Sequence, residues 1–313
     1  MPASIRRIFI IISSVSNLLV AGGVEPEFSW QQTETSLALC NREKIVWKLV
    51  FDAKQPKTYF HPLATLEGQV LTEFEPEDHP WHRGLWWSWK FINGLNYWEE
   101  DRQTHASEGV NELTHAKVMR GVDFAAQAEL HFSYHPPGKP PVMTEIRKLS
   151  INRPDSDGRY WIDWTSTFTV GDAPVKLDRT PTLREGGVDF GGYAGLSLRF
   201  PVGLTGWSYR TSEAAKSATN GHGKSARWVD FSGKNAGISV FDHPDNMRHP
   251  TPWYLSEKPE LIYLSPAVLL NESLTLAAQQ SIKLTYRIMI HSKPITDKTI
   301  DMQWNEFSSP VKP

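Results

Sequence analysis

Cysteine is almost missing from this chain: Cys40 is the only one in 313 residues. A single thiol forms no internal disulfide, so the fold does not rest on a cross-linked framework. The surrounding SLALCNREK offers no clear thiolate-stabilising neighbourhood, which makes packing the expected role of Cys40 rather than catalysis. Basic charge is not in surplus either. Lys and Arg number 33 against 35 Asp and Glu, a net charge of −2, and no nucleic-acid footprint of clustered Lys and Arg stands out. There is no HExxH, no cysteine pair and no repeat of fixed period, which removes the common zinc signatures and argues against a propeller.

Long apolar runs are also scarce. The one candidate is Ile8 to Val20, preceded by Arg6 and Arg7 and followed by the small residues Ala21, Gly22 and Gly23. A positive start, a short apolar run and a small-residue end read as a secretory signal over residues 1–22. The run is short for a spanning helix, which needs about 20 apolar residues. Cleavage would remove two arginines and no acid, taking the net charge from −2 to −4. The expectation is an exported, periplasmic or extracellular protein with no membrane segment once the signal is gone. Residues 23–313 then form a single domain, since no linker divides them.

What the chain has in quantity is alternation. In RYWIDWTSTFTV the even positions Tyr160, Ile162, Trp164, Phe168 and Val170 are apolar or aromatic, and the odd ones include Asp163, Thr165, Thr167 and Thr169. The same period of two places Phe124, Ala126, Ala128, Leu130 and Phe132 inward, and again Ile282, Leu284, Tyr286, Ile288 and Ile290. Gly, Pro, Asn and Asp cluster between such runs, and HPPGKPP reads as a hairpin tip. Only the tail looks helical, with Ile300, Trp304 and Phe307 on one stripe and Pro294 and Thr296 before it. The fold expected is all-β: one large antiparallel β-sandwich with a short C-terminal helix. On a curved sheet Asp163, Arg199, Arg287 and His131 are candidates for a polar concave face; on a plain one they are surface.

Three stretches concentrate chemistry. In EDHPWHRGLWWSWKFINGLNYWEED, residues 77–101, stand five of the 13 tryptophans, His79, His82, Arg83 and the acids Glu99, Glu100 and Asp101. Pro80 between the histidines rules out a helical metal motif. In an extended segment residues three apart diverge, so His79 and His82 meet only across a bend. A divalent ion there, with His61, His105 or the acids as further ligands, stays an alternative; otherwise no cofactor is implied. Arg83 offers a planar fork for carboxylates or hydroxyls, and Trp81, Trp86, Trp87, Trp89 and Trp98 can offer flat apolar faces. Trp87 and Trp89 share a strand face opposite Trp86, so some of these tryptophans are core. The second stretch, FDHPDNMRHPTPW at 241–253, contributes His243, Asn246, His249 and Trp253. The third, LREGGVDFGGYAGLSLRF, contributes Glu185 beside paired glycines, and Arg199.

Taken in order, HPL at 61–63, EDHPWHRGLWW at 77–87, INGLNYWEE at 92–100, RWVDFSG at 227–233, the 241–253 stretch and YRIMIH at 286–291 resemble the soluble bacterial PmoA-like family over about residues 40–292. Trp81 stands where that family has the first of two adjacent histidines; His82 and Arg83 match. The methane oxygenase behind the family's name is a multi-helix membrane protein, and its activity does not transfer to a chain of strands. The resemblance implies a galactose-mutarotase-like supersandwich, a fold many of whose members act on carbohydrates. The expected function is therefore a secreted carbohydrate-active protein, with a small-molecule or oligosaccharide partner. His82, His243, Glu185 and Glu99 are the expected proton-transfer groups. His79, Arg83, Trp86, Trp98, Asn246, Arg199 and Trp253 are expected to hold substrate, with His82, Arg83, Trp98, Glu99, His243 and Asn246 in one cleft. A non-catalytic carbohydrate-binding protein and a metal-dependent lyase or oxidoreductase are the alternatives.

Overall fold

The computed structural model describes residues 26–309; the signal expected over residues 1–22 lies outside them. Two eight-stranded antiparallel sheets face each other. The first runs in spatial order Phe28–Gln32, Ser36–Asn41, Lys44–Val50, Tyr59–Leu63, Leu85–Ser88, Gly195–Phe200, Leu261–Pro266 and Trp253–Lys258. The second runs Ser208–Thr211, Trp228–Ser232, Gly237–Asp242, Ser281–His291, Tyr160–Val170, Met143–Ile151, Ala126–His135 and Val110–Arg120. A small four-stranded sheet, which includes Phe91–Ile92 and Val175–Asp178, accompanies them.

The period of two does what it predicts in the second sheet. Tyr160, Ile162, Trp164, Phe168 and Val170 are all buried, and the first four pair in register with Ile290, Ile288, Tyr286 and Ile282. They meet Leu85, Trp87, Leu196, Leu198 and Leu264 of the first sheet in one apolar core. One expected strand residue lies outside the strand: Phe124 precedes it, at φ 65° in the turn before Ala126, and still packs against the core beside Phe28 and Trp30. A five-residue alternation carries no marker for a turn that cuts off its first member.

The C-terminal helix spans Asp297–Ser308, with the Thr296 side chain accepting from the Thr299 amide. Ile300, Trp304 and Phe307 lie over Trp228, Phe241, Met289 and Trp161. These alternate with core residues, so the helix covers the outer face of the second sheet. Arg287 is held there by Asp163, at 2.6 and 2.8 Å, between the rings of Trp161 and Phe307. Arg287 therefore meets a helix rather than a cleft, whereas Asp163 also lines a depression on that face with Lys148 and Thr165. Among the described residues no helix is long and apolar enough to cross a membrane.

The first sheet is covered on both faces. Leu85, Trp87, Leu198 and Leu264 point into the core, and the residues between them turn outward: Trp86, Ser197, Arg199, Tyr263 and, on the edge strand, Tyr254. Tyr59, Trp86, Trp98, Tyr254 and Tyr263 form a second, aromatic cluster on that outer face.

Candidate functional site

The loop from Glu75 to Arg83 starts and ends on a bridge, Phe74 to Arg83. Inside it the amide of His79 donates to Pro76 O at 3.0 Å and that of His82 to His79 O at 2.9 Å. Two successive turns supply the bend that residues three apart need, and the rings of His79 and His82 stack at 4.6 Å between centroids. Gly84 lets the chain rejoin the sheet: its φ is 71°, and a Cβ there would lie 2.5 Å from Phe60 O. The opposite wall starts from a hairpin, Phe91–Ile92 to Leu95–Asn96, turned by Asn93-Gly94, both at positive φ. The Asn96 side chain then accepts from the amides of Trp98 at 2.8 Å and Glu99 at 3.2 Å, and this local turn projects both residues.

Buried ions join the two walls. Glu100 is held by Lys57 on one oxygen and by Arg83 on the other, at 2.5 Å for Arg83. Lys57 also donates to Trp98 O at 2.9 Å, and Arg83 to Glu75 and to Pro80 O. Arg83 is 1% exposed and makes its contacts within the protein. Removing one partner from such a pair leaves an uncompensated buried charge.

Between the walls and the aromatic face lies a cavity of about 290 Å³, lined by His79, Trp81, His82, Trp98, Glu99, Phe190, Tyr193, Tyr254, Leu261 and Tyr263. Glu99 is its one carboxylate. Burial opposes ionisation of Glu99, but Lys90, Asn96 at 2.7 Å and the Tyr193 hydroxyl at 3.0 Å outweigh it and hold its pKa below the usual range. His79 Nδ1 lies 2.7 Å from Asp78 Oδ2, and Asp78 in turn accepts from Arg199 Nη2 at 3.0 and 3.1 Å. A carboxylate only accepts, so Nδ1 carries the proton and Nε2 of neutral His79 is left as the acceptor. Burial works against the Asp78 carboxylate, yet His79 and Arg199 keep its pKa low. His82 is different: burial, and then the charge of His79 when protonated and of the cations Arg199, Lys57 and Arg83, push its pKa well below the ordinary value. It is a neutral ring held between His79 and Trp86, 4.9 Å from the latter.

The structure thus brings His79, His82, Trp98 and Glu99 to one cavity. Trp86 lies one layer beneath, against His82 and Trp98. Arg83 and Arg199 are buried behind the walls. The shared cleft expected with His243 and Asn246 does not exist. His243 sets its ring edge on Phe307 of the C-terminal helix, on the outer face of the second sheet. Asn246 is tied to Asp242 at 2.8 Å and Thr285 O at 2.7 Å. Trp253 belongs to the core, because Tyr254 is the residue of that strand that turns outward. Glu185 closes a capping box on the 3₁₀ turn Leu183–Glu185 and pairs with Arg179 at 2.5 Å. It lines a neighbouring depression with Thr182, His222 and Asn271. For the alternative of a divalent ion, no group of three or more His, Cys, Asp or Glu placed to hold a metal is found among the described residues.

Sequence reasoning missed Asp78, Lys90, Asn96, Tyr193, Tyr254 and Tyr263; of the five tryptophans it offered as flat faces, Trp81 and Trp98 line the cavity. Asp78 directly precedes His79, a visible signal for an orienting acid, and Tyr193 follows the quoted glycine pair. Tyr254 and Tyr263 carry no such signal: each looks like one more apolar residue of a buried strand.

The sequence profile of DUF6807, a family of unknown function, matches residues 36–305. No curated protein matches the chain. Among solved structures, an α-galactosidase from Lactobacillus brevis is 10% identical with a TM-score of 0.44, over 85% of this chain and 40% of that one. A polysaccharide lyase is 12% identical with a TM-score of 0.30, over 90% of this chain and 34% of that one. The chain therefore spans well under half the length of either, and likenesses this weak carry no functional argument.

Proposed function

We propose a function from the site itself, because the chain belongs to DUF6807, a family of unknown function, and membership supplies no activity. The reading is a carbohydrate-active site that performs acid–base chemistry on a sugar or glycoside. One observation carries it: a cavity walled by Trp81, Trp98, Tyr193, Tyr254 and Tyr263 contains one ionised carboxylate and one histidine oriented by an aspartate. Aromatic faces suit the C–H faces of a sugar ring, and a few placed polar groups suit its hydroxyl rim. Glu99 is the hydroxyl acceptor. His79, not His82, is the proton-transfer group. It is partly exposed, and Asp78 both fixes its tautomer and stabilises its cation when Nε2 takes a proton. His82 orients that ring by stacking, and Arg199 holds Asp78.

The PmoA-like resemblance enters this proposal only through His82, Arg83 and Gly84, which build the wall. Export belongs to it too, on the strength of Arg6, Arg7 and the apolar run that follows; N-terminal sequencing of exported protein beginning at Met1 would count against that part. The second reading, binding without turnover, is favoured by the state of Glu99: its lowered pKa makes it an acceptor and leaves His79 without a partnering acid. The test is a panel of monosaccharides and glycosides, followed by calorimetry for binding and by NMR for product. Binding that Trp98→Ala abolishes, with turnover that His79→Asn abolishes, is expected. Binding without product on the whole panel selects the second reading, and no binding by any sugar removes both.

A further inference from the structure

We propose that this cavity selects electrically neutral ligands: neutral hexoses, pentoses or their glycosides, and neither uronic acids nor amino sugars. The inference rests on the carbohydrate reading and narrows it. Its ground is that the charges around the cavity are compensated within the protein. Glu99 faces the cavity with Lys90 on its Oε2. Lys90 is itself buried, with its ammonium 4.9 Å from the Phe91 ring centre and 5.4 Å from that of Tyr193. Asp78 is matched by Arg199. Glu75 and Glu100 are matched by Arg83 and Lys57. His82 is kept neutral by burial and by the cations around it.

A ligand carboxylate would therefore enter beside the Glu99 carboxylate, and the cation nearest to it is already engaged. Like charges in a partly dry site repel strongly, and an unpaired buried charge is costly. A ligand ammonium meets the converse obstacle: to reach Glu99 it must displace Lys90, which would then be buried without a counterion. A hydroxyl meets neither. Glu99 has about four lone-pair sites, and the donors found on it are Lys90, Asn96 and Tyr193, with Tyr193 alone on Oε1. Oε1 thus keeps the capacity to accept one hydroxyl. The size agrees with one ring rather than a chain, since about 290 Å³ stands at the small end of ligand sites.

The test is a matched series titrated into the full-length protein with tryptophan fluorescence as readout: glucose, glucuronate and glucosamine, galactose with its own uronate and amine, and cyclohexanol with cyclohexanecarboxylate as a pair without sugar chemistry. A neutral member binding at least tenfold tighter than its charged partners, with little dependence on salt, is expected. In Glu99→Gln the ammonium of Lys90 is released, and the uronate should gain at least tenfold relative to the neutral sugar. Equal or tighter binding of a uronate or amino sugar by the unaltered protein overturns the inference, as does a Glu99→Gln ratio that stays put. If no sugar binds but cyclohexanol still outbinds the carboxylate, the sugar reading falls and the charge inference stands. Silence across the whole series overturns both.

Discussion

Two stretches of this chain share a vocabulary and come to different ends. EDHPWHRG folds Asp78 and His79 into a hydrogen-bonded pair at 2.7 Å, and FDHPDNMRHP folds Asp242 and His249 into another at the same distance. Their side chains are 34% and 35% exposed in the first pair, and 0% and 15% in the second. Asp242 spends its lone pairs inside the loop, on Asn246, His249 and the Thr251 amide at 2.9 Å, and its main-chain oxygen accepts from Trp304 of the C-terminal helix. The His249 ring stacks on Trp304 at an interplanar angle of 12°. Asp78 instead receives Arg199 from behind and leaves the His79 ring on a cavity wall. An Asp–His pair is thus a local device; what lies over it decides whether it fastens a loop or meets a ligand.

The largest effect expected separates the wall from the ligand site. Arg83→Ala leaves Glu100 and Glu75 without their common cation, and the loss should be about 3–5 kcal/mol of stability. Denaturant unfolding checks it. A variant that keeps its midpoint and loses only ligand affinity would return Arg83 to the role of substrate clamp expected from its planar fork.

Next comes a crossed pair of variants. His79→Ala should abolish turnover, by roughly 10²–10⁴-fold if it transfers protons, with an unchanged melting temperature. His249→Ala should do the reverse, lowering the melting temperature and sparing ligand binding. Asp78→Asn should follow His79 and displace the acid limb of the pH–rate profile, a change that a purely structural role would not give. Thermal melts and kinetics on the four proteins decide it. If His249→Ala loses ligand binding while staying folded, the two regions are not functionally distinct.

These contrasts mark what was legible in the residues. The all-β architecture was, because alternation such as that from Tyr160 to Val170 reports a half-buried strand directly. The terminal helix was, through Thr296, Ile300, Trp304 and Phe307. The 77–101 stretch was in part: His79, Trp81, His82, Trp98 and Glu99 line the cavity, while Trp87 and Trp89 go to the main core. Convergence was not. His82 and His243 lie on the outer faces of different sheets, and nothing local encodes which sheet a loop belongs to. Trp253 and Tyr254 show the same limit at one-residue scale: both suit a strand, and only pairing register says that the tryptophan points inward.

Acid titration sharpens the comparison further. Burial, with Lys48 adding to it, lowers His61 from 6.5 to about 4, and burial lowers His82 well below 6.5. Both histidines stay neutral in the fold while the unfolded chain takes up protons. Their contribution is therefore fully present above pH 6.5 and is lost as pH falls below it, for His61 until about pH 4, at about 1.4 kcal/mol per pH unit for each proton. On the helix side Asp230 behaves oppositely in range. Burial opposes its charge, but His291, Arg210 and Ser232 bring its pKa to about 2. Its contribution is present above pH 3.8 and lost only as pH approaches 2. Urea unfolding across pH 7 to 2 should show a first decline that His82→Gln flattens and a second that it leaves alone. A single decline unaffected by His82→Gln would mean that the cavity side is not the acid-sensitive one.

The smallest effect should come from Glu185→Gln, a residue whose neighbours in sequence made it a candidate acid. Its carboxylate accepts from Arg179 at 2.5 Å and from the Thr182 amide and hydroxyl at 3.0 Å, and these bonds bring its pKa to about 2. A carboxyl of that kind is ionised throughout the working range and donates no proton at neutral pH. It also lines the depression beside Thr182 and His222 and not the cavity of His79 and Glu99. Glutamine keeps an oxygen for the Thr182 amide but turns an NH2 toward Arg179, giving up that ion pair and its hydrogen bond while Asp178 and Leu270 O stay in reach of the guanidinium. Turnover and ligand affinity should stay within error of the unaltered protein, and the melting temperature should fall only slightly, because Glu185 is half-exposed. A loss of turnover with the melting temperature held would place a proton-transfer group outside the cavity. The contrast between the two Asp–His pairs would then no longer locate the chemistry.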